Sequence, residues 1–348
     1  MLRRYGHNKH RKSYTWFAGA VIVTLLSLTG CSLSPSSSNV KPDIQETDEV
    51  RNEQQEQQEQ QEQVDQQEQV DQHALLTAFK LQLKEAADAS ELVAYLDDNM
   101  TKAEQTTADA MLRGLFDYYD AHLTEAQDAF FEPDVQEVLT AETWPITKAG
   151  AEAIPDEKVK TLVQKAYAGG YKLESVEGSI YPVVDYRYWS GIGQLLSTPL
   201  RDYVELMALE SDEATAKDGG LHITWDELAS RALLAEAFIL EHKDSPEREE
   251  VQNKYVNGYL MMYVNGLPNS AVHDAQTYRL LEEVKNSYQA TIATAPESVT
   301  ARLTKSFVEI LAKHGNLVME EKNGEAAEIA DVKNFRKDLP QHAEMLLK

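Results

Sequence analysis

From residue 73 onward, apolar positions recur at helical spacing. Leu75, Leu76, Phe79 and Leu83 predict a helix over His73–Ala87. Thr101 with Glu104 has the form of a capping box, in which each side chain bonds a free backbone N–H of the other's turn. It would open a helix whose apolar face is Met111, Leu112, Leu115, Phe116, Tyr119 and Leu123. Thr124 with Gln127 has the form of a second box. Thr198-Pro199 places an N-cap before a proline at the first helical position, with Leu200, Tyr203, Val204 and Met207 on one face. Thr224 and Glu227 cap a helix that turns Leu228, Ala232, Ala235, Phe238 and Ile239 inward. Ser245-Pro246 starts another, with Val251, Tyr255, Tyr259 and Met262 at steps of about four. Leu281, Val284, Tyr288 and Ile292 mark the next. Val299, Leu303, Phe307 and Ile310 mark one more, ended by Gly315, and a last helix covers Val332–Leu347.

One stretch departs from this period. After Gly169-Gly170, residues 171–177 alternate, Gly178-Ser179 turns, and Ile180–Tyr186 continues as a strand-like run, a hairpin pattern in which Pro182 restricts the second strand to an edge. The expected fold is therefore mainly α, a multi-helix globular domain with a small β-hairpin near residues 171–186. The irregular stretch Trp144–Pro155 divides residues 73–145 from 155–348 or is a long loop within one domain. No repeat of fixed period is present, so a solenoid is not supported.

The chain before residue 73 is of another kind. Met1–Tyr14 is basic and polar, Phe17–Leu28 is a predominantly apolar run of 12 residues, and the run ends in Leu28-Thr29-Gly30-Cys31. A spanning helix needs about 20 apolar residues, so this run has the length of an export signal and not of a permanent span. The ending resembles the lipobox of bacterial lipoproteins. That resemblance, confined to the first 31 residues, implies that residues 1–30 are a cleaved signal peptide and that Cys31 carries a diacylglyceryl group. Cys31 then becomes the first residue, on the extracytoplasmic face of the cell membrane. Its partner there is the lipid bilayer. Two or more acyl chains, at roughly 0.8 kcal/mol per buried CH₂, give the stable anchoring that one chain does not.

Residues 31–72 cannot form a core. Cys31–Asn39 is rich in Ser and Pro, and residues 52–72 hold 11 Gln and 7 acids with only two Val. Their period of three holds no stripe on a helix of 3.6 residues per turn. They predict a disordered tether, partly helical toward its end, that reaches roughly 60–130 Å.

Charge narrows the partners. The chain has 33 Lys+Arg against 58 Asp+Glu, a net of −25, and residues 73–348 alone carry −21. Such a surface repels phosphate backbones and argues against nucleic acid. A single Cys excludes an intramolecular disulfide. Of the nine His, His73, His122, His222, His242, His273, His314 and His342 lie after the signal. No two are close in sequence, so no metal site is expected, and they read as surface or helix-end residues. The acidic stretch Ser211–Gly220 lacks EF-hand spacing and reads as a solvated loop. No nucleophile elbow, P-loop or dinucleotide fingerprint occurs, so no cofactor is expected.

The densest group of candidate site residues is Glu177, Tyr181, Asp185, Tyr186, Tyr188 and Trp189, with Arg187 among them. The aromatics suit stacking on a sugar or peptide, and Glu177 with Asp185 could act as an acid/base pair on cell-wall material. The competing reading puts the aromatics in the core and makes Asp185 a helix cap. The functional expectation is a non-enzymatic, membrane-tethered binding module of the cell envelope, whose partner is an envelope protein or a glycan. A wall-acting enzyme using Glu177 and Asp185 is the alternative.

Overall fold

The computed structural model describes residues 71–348 together with Gln69; the signal, Cys31 and nearly all of the tether lie outside the described residues. The body is mainly α, with three two-stranded antiparallel sheets. The chain enters through α1, residues 71–85, which starts inside the expected tether and ends two residues before the expected boundary. Then follow α2 (Ala89–Asn99), α3 (Gln105–Asp128), α4 (Pro133–Ala141) and α5 (Glu157–Ala168). The hairpin β1 (Tyr171–Val176) and β2 (Ser179–Val184) comes next, in the register Tyr171↔Val184 to Val176↔Ser179. The short α6 (Tyr186–Ser190) leads to α7 (Thr198–Asp212). Contacts cross the irregular 145–155 stretch: α2 packs on α5, and both α3 and α4 pack on β2.

The later elements gather around α8 (Trp225–Glu241), which touches α7, α11 (Glu282–Thr294) and α12 (Val299–Lys313). It also packs on α9 (Arg248–Asn253) and α10 (Met261–Asn265). Ala232 and Ala235 are fully buried on it, and such small side chains let neighbouring helices approach closely. The last helix, α13 (Ala330–Leu346), packs on α12 and α10. Apolar burial along these faces is the main stabilising contribution, at about 25 cal/mol per Å² removed from water.

Between α9 and α10 the helix widens into a π-helical segment, Lys254–Leu260. Here the four-residue steps have a geometric meaning. A helix with more than 3.6 residues per turn keeps Val251, Tyr255, Tyr259 and Tyr263 on one buried face, and Tyr263 takes the inward place expected of Met262. Their hydroxyls are all bonded: Tyr255 to Thr300 and Glu236, Tyr259 to Glu210, and Tyr263 to Ser287 and Thr291.

Several helix starts differ from the sequence expectation. Thr224 does cap α8, accepting from the Glu227 N–H. The Thr101/Glu104 box does not form, because Thr101 sits in a 3₁₀ turn, Met100–Lys102, and Ala103 is extended. Glu104 precedes α3, and its N–H is met by Gln72 Oε1 at 2.9 Å. Thr124 and Gln127 lie within α3, where Gln127 reaches across to donate to the Pro182 carbonyl. α9 starts at Arg248 and not at Pro246.

Two further hairpins were not expected: β3 (Ala216–Lys217) with β4 (Gly220–Leu221), and β5 (Met319–Lys322) with β6 (Glu325–Glu328). All three hairpins turn on two residues at positive φ: Glu177-Gly178, Asp218-Gly219 and Asn323-Gly324. This is the turn whose twist matches that of the flanking strands. The acidic stretch 211–220 is thus not an open loop; Asp212 ends α7 and pairs with Arg187 and Lys172.

Candidate functional site

The six residues singled out by sequence do not converge. Glu177 is exposed at the hairpin tip. Asp185 follows the other end of β2 and caps α6, accepting from the Tyr188 N–H at 3.3 Å. At about 3.3 Å per strand residue, the two stand roughly 25 Å apart. A glycosidase pair stands about 5–10 Å apart, so these two carboxylates do not form one. Tyr181 packs against Phe131, with ring centroids 5.4 Å apart. Tyr186 lies in an aromatic group with Phe116 and Tyr203. Tyr188 is exposed and donates to Asp97 at 2.6 Å; partial burial and that carboxylate push its pKa up to about 12. Trp189 is in the core, its indole beside the Tyr119 hydroxyl. Asp185 and Trp189 thus do what the structural alternative required of them.

The best-formed concavity lies beside this segment. It is a cleft of about 460 Å³ between the α1–α2 junction, α3, α5 and the hairpin. That volume suits a small ligand. The space exists because the facing residues are short: Ala86, Ala87 and Ala89 at the junction, Ala126 and Ala129 on the α3 side, and Ala166 on α5. Leu162, Phe130 and Pro182 complete the apolar wall.

Local sequence positions the polar groups. Asp88 caps α2, accepting from the Ser90 N–H at 2.9 Å and from the Ser90 hydroxyl, and it holds Lys165 of α5 at 3.2 Å. Burial opposes its charge, but Ser90 and Lys165 outweigh that effect and keep its pKa below the usual carboxylate value. Tyr118 and His122 are four apart on α3, so they share a face; their rings stack at 4.0 Å, and His122 Nδ1 lies 2.8 Å from the Tyr118 carbonyl. Tyr171 enters from β1. It is only 6% exposed and lines the cleft, and its hydroxyl has no hydrogen-bond partner among the described residues. Burial first, then the Tyr118 hydroxyl and the Asp88 charge, push its pKa well above the ordinary phenol value, so it stays protonated.

Sequence alone does not single out this group, since Tyr118 falls within a predicted helix and His122 reads as a surface or helix-end residue. The available signal was the pair Tyr118-x-x-x-His122 on α3, away from the core stripe, together with the alanines before and after it.

Two other recesses occur. One, of about 740 Å³, lies by Trp225, His273 and Glu283, and the other, of about 430 Å³, by Glu210, Lys254 and Tyr259. Among the described residues no group of three or more His, Cys, Asp or Glu is arranged to hold a metal ion, and no helix is long and apolar enough to cross a membrane.

The chain matches no protein-family model, no curated protein and no solved structure.

Proposed function

We propose that the chain is a lipid-tethered, extracytoplasmic binding module that is not itself an enzyme. The observation that carries this reading is the place of the sole cysteine. Cys31 follows a predominantly apolar 12-residue run after Thr29-Gly30, and a Gln/Glu-rich stretch follows that cannot pack. Acylation there attaches an acidic, helical body to a bilayer for which its own charge gives it no affinity. The cleft beside the hairpin supports the binding half of the reading, since it combines an apolar wall with a few convergent polar groups.

Intact-mass analysis of the protein from a bacterial membrane fraction tests the tether. The expected species begins at Cys31 and carries acyl chains, and Cys31→Ser gives an uncleaved or released form. A chain that retains Met1 with an unmodified thiol overturns the reading.

A further inference from the structure

We propose that the cleft between α3, α5 and β1 binds a small organic ammonium ion with an apolar body. The inference rests on the binding-module reading and gives it a ligand class. The starting point is the Tyr171 hydroxyl, a polar group on a side chain more than nine-tenths buried, facing the cleft without a partner. The hydroxyl oxygen itself is reachable from the cleft, so a ligand can bond it in place of water.

The remaining groups determine the sign of the charge. The only cation in the lining, Lys165, is neutralised by Asp88 at 3.2 Å. Glu125 at the rim has no ion-pair partner among the described residues, which leaves the cleft with an excess negative charge. A carbonyl oxygen only accepts, so the contact with the Tyr118 carbonyl makes His122 Nδ1 the donor. The Tyr118 and Tyr171 oxygens add further acceptors. An ammonium group brings three donors to such a lining and gains from aromatic faces as well. The alanines, Leu162 and Phe130 then cover its apolar body. The body's net charge of −21 concentrates cations around it and repels carboxylate analogues of the same shape.

The test is calorimetric titration of the full chain with three probes of one skeleton: phenethylammonium, phenethyl alcohol and phenylacetate. The expected order puts phenethylammonium at least tenfold tighter than either other probe. Glu125→Gln, a change at an exposed side chain, removes most of that preference. Tyr171→Phe weakens the ammonium about tenfold, and Ala126→Trp, which fills the space, abolishes binding. If the alcohol or phenylacetate binds as well as or better than the ammonium, and Ala126→Trp blocks it, the ligand class is overturned and the binding reading stands. If no probe binds at millimolar concentration, the cleft is overturned as a small-ligand site. Neither outcome bears on the tether, which the mass of the Cys31 species decides separately.

Discussion

Glu236 on α8 holds Thr300 of α12 twice, accepting from its N–H and from its hydroxyl, each at 2.8 Å. The same carboxylate accepts from the Val299 N–H at 2.6 Å and from the Tyr255 hydroxyl at 3.3 Å. A buried acid on the central helix therefore caps the N-terminus of another helix, where free N–H groups and the helix dipole favour negative charge. Glu236→Ala strands those donors in the core. We expect a loss of about 3 kcal/mol or more by urea unfolding, since each stranded buried donor costs about 1–3 kcal/mol. Glu236→Gln keeps the shape and part of the bonding and should lose less. Equal stability of the Ala variant and the parent would disprove the capping role.

Arg231 is the second buried charge on α8. It is 2% exposed and donates to Glu210, Glu227, the Thr215 hydroxyl and the Glu213 carbonyl. Arg231→Met leaves Glu210 charged without its cation, and breaking such a pair typically costs about 3–5 kcal/mol. A double cycle with Glu210→Gln should return part of that loss, and strict additivity of the two changes would refute the coupling.

Gly170 has φ of +73°, and a Cβ there would come within 2.3 Å of the Tyr119 hydroxyl. Gly170→Ala therefore adds a strained backbone conformation to a steric clash. A melting temperature at least several degrees lower is expected. Tyr119→Phe in that background removes the clash but not the backbone strain, so rescue should be partial. Full rescue would assign the whole cost to the clash.

His273 gives a pH dependence. Burial, aided by the nearby Arg336 charge, lowers its pKa below the ordinary 6.5. In the unfolded chain it takes up a proton near 6.5, and in the folded protein only at lower pH. The unfolded state then binds more protons, so stability falls as pH drops below 6.5 toward the folded value. Glu210 and Glu247 add a loss at lower pH. For each, burial opposes the charge, but hydrogen bonds, from Thr215 and Tyr259 or from Arg113 and Ser245, keep the pKa below 4.5. Their contribution is present above 4.5 and disappears as pH falls through the folded values. Comparing melting temperatures at pH 7.5 and 5.5 isolates the first effect, which should shrink in His273→Gln.

Long amphipathic helices were legible because their period is their burial. The stripe of α3, the Thr224 cap and the face from Val299 to Phe307 all follow from apolar spacing. Shorter elements were not. α2 and α5 are started by Asp88 and Asp156, single-residue caps that do not stand out in a chain with 58 acids. Asp218-Gly219 and Asn323-Gly324 are good turn signals, but the strands they join are only two and four residues long, too short for alternation to reveal them. The Thr101/Glu104 pattern failed for a local reason, the extended backbone at Ala103. The cleft was out of reach because it is assembled from elements that only the tertiary fold brings together.

The side chain of Gln72 joins the start of α1 to the α2–α3 corner, donating to the Lys102 carbonyl at 3.1 Å and accepting from the Glu104 N–H. Both bonds are exposed to solvent, where each is worth only about 1 kcal/mol. Because both bonds are weak and exposed, a pull on the chain that precedes α1 is expected to part this clasp before it disturbs the helices around α8.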